Sequence, residues 1–170
     1  MALENEITPK NYSVLWLLKN DKILTNRECL KRRIRSDDLC KSCLSHEDSS
    51  HIFRDCYKAK QVWNIIDPNF VGNTGDTSFS FWLDTNLKSK ISIAQSQFQW
   101  CILFVVIIWN LWKNRNDFQF NNVTTSPDQI VIKSRLLTEE IHKAFDINYG
   151  QTVFADIRLI KWLFPPTDIV

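Results

Sequence analysis

The sequence predicts a mainly α-helical protein, in which a small helical module is followed by a helical second half. Glycine and proline are scarce, with three and five residues among 170, so the chain offers few tight turns. Apolar residues recur at intervals of three and four positions, which is the spacing of one helix face. Thr25 and Ser126 each stand three positions before a glutamate or glutamine, a pattern that starts helices.

Two helices are predicted in the first part of the chain. The first covers residues 11–18, a short segment rich in apolar side chains. The second begins after Thr25 and is expected to run from Asn26 to Ile34. Leu30 and Ile34, four positions apart, are expected to face the core, while basic side chains line the opposite face.

A third helix is predicted from Lys58 to Ile66, because its apolar residues form one stripe: Ala59, Val62, Trp63 and Ile66. Residues 67–78 hold two of the three glycines and form the expected linker. We therefore divide the chain into a module over residues 11–66, this linker, a helical segment over residues 79–149 and a tail over residues 150–170.

Three more helices are predicted in the second half. A short one covers residues 79–87, and a long one is expected over residues 93–116. The long helix contains ten consecutive apolar residues, 100–109, fewer than the about 20 that span a bilayer, so we expect burial inside the protein and no membrane partner. The last helix starts at Ser126 and Pro127 and ends before Gly150.

Residues 40–56 carry the most specific chemical pattern in the chain, three cysteines and a histidine in the order Cys-x2-Cys-x7-His-x4-Cys. Its members are Cys40, Cys43, His51 and Cys56. Zinc accepts thiolate and imidazole together and binds four such ligands as a tetrahedron. With all four positions filled by protein, the ion is expected to be structural and not catalytic. Because of the x4 gap, we expect a turn between His51 and Cys56.

Three other interpretations of these residues remain open. The cysteines can be ordinary buried thiols, with the histidine at the surface. A disulfide is disfavoured by the odd count of five cysteines. His46 is a competing ligand, but we prefer His51 because Ile52 and Phe53 can anchor it in a core. Cys29 lies near the apolar side of its helix and is expected in the core.

Positive charge is concentrated just before this pattern. The net charge of the whole chain is only +2, but residues 19–35 contain seven basic and two acidic side chains. Arg27, Lys31, Arg32 and Arg35 are the expected contacts to nucleic acid, RNA or DNA, since they form a basic helix face. The alternative is a solvated helix face or a weak nuclear-import signal.

The expected location is the nucleus or the cytoplasm. Residues 1–6 lack the apolar core of a secretion signal, so we expect the protein not to be secreted. Free thiols are typical of these reducing compartments.

Several short motifs, in this order, resemble the zinc-binding domain of reverse transcriptases from plant non-LTR (LINE-type) retrotransposon polyproteins. The resemblance also covers the segment that leads to a ribonuclease-H-like domain, and it extends over roughly residues 11–166. The motifs are Trp16-Leu-Leu, Leu24-Thr-Asn, Arg32-Arg-Ile, Cys40-x2-Cys43, Glu47-Asp-Ser, His51-Ile-Phe-Arg-Asp-Cys56, Ala59-x3-Trp63, Phe81-Trp-Leu, Trp109-Asn-Leu-Trp-Lys-Asn-Arg-Asn116 and Trp162-Leu-Phe-Pro-Pro166.

The resemblance implies a structural zinc ion held by Cys40, Cys43, His51 and Cys56. It also implies that this chain carries none of the catalytic domains of such polyproteins. One position departs from the family, because Leu44 stands where relatives usually have glycine, a residue that permits a positive φ.

The sequence favours a non-catalytic zinc module that assists nucleic-acid binding. Asp37-Asp38 is the only pair of adjacent aspartates, and it lacks the further carboxylate that a two-metal polymerase site requires. The alternative is a retroelement-derived module that binds a protein partner, with a structural zinc and no nucleic-acid role. Seven tryptophans and the nearly neutral net charge favour this alternative.

Overall fold

The computed structural model describes residues 10–67, 77–89 and 100–145. These residues form six α-helices and one short π-helical turn. The helices are α1 (Lys10–Lys19), α2 (Asn26–Lys31), α3 (Tyr57–Ile66), α4 (Phe79–Lys88), α5 (Trp100–Asn121) and α6 (Pro127–Phe145), and the π turn is His51–Asp55. Over these ranges the chain has no β-strand, only an isolated antiparallel bridge between Leu39 and His46. The predicted mainly α class is confirmed.

Helix α5 lies at the centre of the structure and packs against α1, the π turn, α4 and α6. Its apolar run is buried almost all round, as the sequence predicted. No helix of the described segments combines the length and the apolarity that crossing a membrane requires.

Trp63 of α3 joins the elements of the core. It is 1% exposed, its ring stacks on Phe104 at 5.4 Å between centroids, and it meets Trp82 edge-on at 5.8 Å. Its indole N–H donates to the carbonyl of Phe53 at 2.8 Å, so the one polar atom of this buried ring is satisfied. Trp63 therefore ties α3 to the π turn, α4 and α5.

The main apolar core contains residues from both halves of the chain, including Leu15 of α1, Phe53 of the π turn, Ile107 of α5 and Ile130 of α6. The predicted division at residues 67–78 stays a prediction, because residues 68–76 lie outside the described part. The predicted tail over residues 150–170 and the start of the long helix at residue 93 also lie outside it.

Helix α2 is shorter than predicted, and the cause is a C-terminal cap without glycine. Arg33 has φ 58°, the Ile34 N–H donates to the Cys29 carbonyl at 2.9 Å, and the Arg33 N–H donates to the Leu30 carbonyl at 2.9 Å. This pair of hydrogen bonds is a Schellman motif, which ends the helix at Lys31. The expectation that Leu30 and Ile34 face the core is wrong, since they are 39% and 62% exposed.

Candidate metal centre

The structure brings together all four residues of the Cys-x2-Cys-x7-His-x4-Cys pattern. The ligand atoms of Cys40, Cys43, His51 and Cys56 lie within 4.8 Å of one another. Tetrahedral zinc, with bonds of about 2.0–2.3 Å, needs ligand atoms about 3.5–3.8 Å apart, so small side-chain adjustments suffice. Cys40, His51 and Cys56 are buried and Cys43 is half-buried, which keeps bulk water from most of the site.

The loop that carries Cys40 and Cys43 is closed by backbone hydrogen bonds. The Leu44 N–H donates to the Cys40 carbonyl at 2.8 Å, and the Cys40 N–H donates to the Ser45 carbonyl at 2.8 Å. This closure requires Leu44 to adopt φ 61°, in the left-handed region. The position where relatives usually have glycine is therefore a position that favours glycine here too.

The π turn brings His51 and Cys56 to the same side. The Cys56 N–H donates to the His51 carbonyl at 2.8 Å, a hydrogen bond that spans five residues. An Asp48 oxygen accepts from the His51 N–H at 2.9 Å and so caps the start of this turn. The predicted turn between the two ligands is confirmed.

Hydrogen bonds among Cys40, His51 and Cys56 change the pKa values of these three side chains. Hydrogen bonds from Cys56 and His51, and from the backbone N–H groups of Ser42 and Cys43, lower the pKa of Cys40 to about 3. The pKa of Cys56 is raised because its thiol donates to Cys40, and burial raises it further. The hydrogen bond to Cys40 raises the pKa of His51. A bound zinc ion would displace the protons that these side chains share. The donor set therefore fits zinc.

The competing histidine lies elsewhere. The side chain of His46 is 80% exposed, and its Nδ1 atom lies 2.8 Å from an oxygen of Asp38. The carboxylate of Asp37 accepts from the Leu39 N–H at 3.1 Å. Both aspartates therefore stabilise the entry to residues 39–56, which we call the zinc loop.

The sequence did not predict the buried ion pair that fixes the zinc loop to the rest of the protein. Glu47, which is 2% exposed, lies with its carboxylate 2.5 Å from Arg115 of α5 and accepts from the Asn26 N–H at 2.9 Å. Arg115 also donates to the Asn26 side chain at 2.8 Å, and Asn26 donates to the Leu39 carbonyl at 2.8 Å. The zinc loop, α2 and α5 are thus held by one polar network.

Two family motifs contained the signal for this network. Glu47 and Asn26 lie in the segments Glu47-Asp-Ser and Leu24-Thr-Asn, and Arg115 lies in the basic end of the long helix. Local spacing gave no reason to pair them, because Glu47 and Arg115 are 68 positions apart.

The predicted nucleic-acid contacts do not form one helix face. Arg27 and Lys31 lie on α2, but Arg32 is its C-cap and Arg35 follows the Schellman motif. The idea of a continuous helical strip is therefore corrected, whereas the nucleic-acid role of these residues stays a prediction.

Most of these basic side chains have acidic partners close by. Arg27 lies 3.5 Å from Asp48, Lys31 lies 2.5 Å from Glu28, and Arg35 lies 3.8 Å from Asp37. The hydrogen bond from Lys31 lowers the pKa of Glu28. These partners reduce the positive potential that the sequence predicted for this surface.

Comparison with known proteins agrees with this site. A family model described as zinc-binding in reverse transcriptase matches residues 1–63. An Arabidopsis thaliana protein named "Putative ribonuclease H protein" is 26% identical over 155 residues, which is 89% of this chain and 24% of that protein. The chain thus spans about a quarter of the length of this relative. No solved structure matches the chain.

Zinc is the metal of the matching family, and the four clustered side chains are able to hold one ion. The family match ends at Trp63, while the similarity to the Arabidopsis protein covers most of the chain. The predicted resemblance to the zinc-binding domain of reverse transcriptases is therefore confirmed, with the family match itself covering residues 1–63.

Proposed function

We propose that this chain is a non-catalytic module with one structural zinc ion, resembling the tail of a LINE-type reverse transcriptase, and that it assists nucleic-acid binding. The observation that carries the proposal is the convergence of Cys40, Cys43, His51 and Cys56 within 4.8 Å. Four protein ligands fill a tetrahedral zinc ion and leave no position for a reacting water molecule. The zinc then fixes the loop and does no chemistry.

Several observations support the structural role of the metal. The zinc loop reaches α2 and α5 through the Glu47, Asn26 and Arg115 network, so the ion stabilises contacts well beyond its own ligands. Asp37 and Asp38 are engaged in loop contacts, which supports a module without polymerase activity. The thiol-rich site suits a reducing compartment, and we place the protein in the nucleus or cytoplasm.

The nucleic-acid role draws support from the basic residues and from the relatives. Arg27, Lys31, Arg32 and Arg35 lie on α2 or just after it in the chain, and such basic side chains contact phosphates without reading sequence. The matching family is named for reverse transcriptase and the Arabidopsis relative for a ribonuclease, two names that refer to nucleic-acid chemistry. The same names support an origin in a plant retrotransposon.

The proposal is tested by binding of short labelled oligonucleotides at several salt concentrations. Replacing Arg27, Lys31 and Arg35 together by alanine is expected to weaken binding about equally for unrelated sequences. The slope of log affinity against log salt should fall by roughly two to three, because each lost phosphate contact removes about 0.7–0.9. Absence of binding at low salt in the wild-type protein would remove the nucleic-acid role.

A protein-interaction module is the second candidate. Large apolar side chains lie at the surface of the described part, with Trp16 50%, Phe81 62% and Phe120 72% exposed. Aromatic residues of this kind are enriched in protein interfaces. Binding through them would depend only weakly on salt, so the same salt titration separates the two candidates.

A further inference from the structure

Helix α6 carries apolar side chains on two opposite faces. One face packs into the protein, and its residues Ile130, Ser134 and Ile141 are buried. Since a helix turns by about 100° per residue, Ile132 and Leu136 point to the other side, where they are 57% and 54% exposed. Because they are four positions apart, these two side chains lie next to each other and form one apolar stripe on the outer face of the helix.

Four charged side chains flank this stripe. Lys133 and Glu140 are exposed along one edge of it, and Arg135 and Glu139 are exposed along the other edge. In the part of the chain that the structure describes, none of the four takes part in an ion pair. Each edge therefore offers one positive and one negative charge to a partner.

The order of these charges makes the outer face of α6 complementary to a second copy of itself. When two copies of a helix pack antiparallel about a two-fold axis, each edge meets the same edge of the other copy. Lys133 then lies opposite Glu140 of the second copy if the axis passes between residues 136 and 137, and Arg135 lies opposite Glu139 if it passes at residue 137. One axis therefore serves both pairs.

The same axis also covers the apolar stripe, because it places Leu136 against Leu136 of the second copy. A parallel arrangement does not fit the charges. There, opposite edges meet at the same height, so Lys133 approaches Arg135 and Glu140 approaches Glu139 of the second copy. These contacts are between like charges and repel.

We propose that this chain forms a symmetric dimer through the outer face of α6, with the two copies of the helix antiparallel and Leu136 at the two-fold axis. The face lies outside residues 1–63, which the family model matches, and it involves neither the zinc ligands nor the basic residues near α2. The inference is therefore independent of the proposed nucleic-acid role. Since only two helices meet, the interface is small, and we expect a dissociation constant on the order of 10–100 μM.

The first test is sedimentation equilibrium of the full chain at concentrations from about 5 to 500 μM, a range that brackets the expected constant. The average mass of the wild type should rise from that of one chain towards that of two. Lys133→Glu should weaken the dimer by about ten-fold or more, because two attractive contacts become repulsive. The matched control is Lys22→Glu, which makes the same charge change at an exposed residue between α1 and α2 and should leave the dimer within about two-fold.

The second test restores the charge pair in reverse order. Adding Glu140→Lys to Lys133→Glu should return the dissociation constant to within about three-fold of the wild type. The two residues are seven positions apart on one helix, about 10.5 Å along its axis, so they are too distant to pair within a single copy. Recovery therefore reports a contact between two copies in the antiparallel arrangement.

The apolar stripe is tested by Leu136→Ala, which should weaken the dimer by about ten-fold because the side chain is lost from both copies at the axis. Alanine favours the helix, and circular dichroism and zinc content should stay unchanged. A wild type that remains a single chain up to about 500 μM would overturn the inference, as would self-association that Lys133→Glu or Leu136→Ala leaves unaltered. Failure of Glu140→Lys to restore the dimer would also overturn it. None of these outcomes affects the proposed function, which the salt titration tests separately.

Discussion

Leu44 allows the backbone geometry of the zinc loop to be tested without touching a ligand. Its φ of 61° lies in the left-handed region, and its side chain is 73% exposed. An L-residue other than glycine is less stable in this conformation by about 1–2 kcal/mol, while glycine loses about 0.5–1 kcal/mol more backbone entropy on folding. Leu44→Gly is therefore expected to raise the free energy of unfolding by about 0.5–1 kcal/mol.

The expected gain corresponds to a rise in Tm of about 1–4 °C for a chain of this size. Since the folding of the loop and zinc binding are coupled, affinity for zinc should rise by about two- to five-fold. The assays are urea unfolding with zinc in excess, followed by tryptophan fluorescence, and competition for zinc with a chromophoric chelator.

Leu44→Ala is the matched control, because alanine removes the exposed side chain but keeps the Cβ atom that opposes a positive φ. Its free energy of unfolding should change by less than about 0.5 kcal/mol. The reasoning fails if alanine stabilises the protein as much as glycine does, since the side chain and not the backbone would then be responsible. It also fails if glycine lowers the stability.

Three further predictions concern the metal and the polar network. Cys56→Ser is expected to lower the zinc content, measured by elemental analysis, well below the one equivalent per chain expected for the wild type; an unchanged content would show that Cys56 is not a ligand. Glu47→Ala leaves Arg115 buried without its counter-charge, and urea unfolding should show a loss of about 3–5 kcal/mol, whereas the paired change with Arg115→Met should recover much of it. Removal of zinc by a chelator should reduce hydrogen-exchange protection first in residues 39–56 and then at the end of α5 near Arg115, because the Glu47 contact joins the two segments; protection that is lost equally in α6 would argue against this order.

The clustering of the four candidate ligands was predictable because these residues lie within a short stretch of chain. Cys40 and Cys43 are separated by two residues, and His51 and Cys56 by four, so local turns alone bring each pair together. The helix starts at Thr25 and Ser126 were predictable for the same reason, since each side chain accepts from an N–H three positions on. The end of α2 was not predictable, because the left-handed position that ends a helix is usually glycine and here it is Arg33.

The sequence by itself determined the mainly α class, the four candidate zinc ligands and the buried character of α5, since periodicity, caps and ligand spacing are local properties. Only the tertiary structure decided which charges remain available. It packs Arg115 against Glu47 and pairs the basic residues of α2 with nearby acids. The physical reason is that the net electric field at a charged side chain depends on neighbours from distant parts of the chain. The packing of the zinc loop on α5 determines which residues these neighbours are.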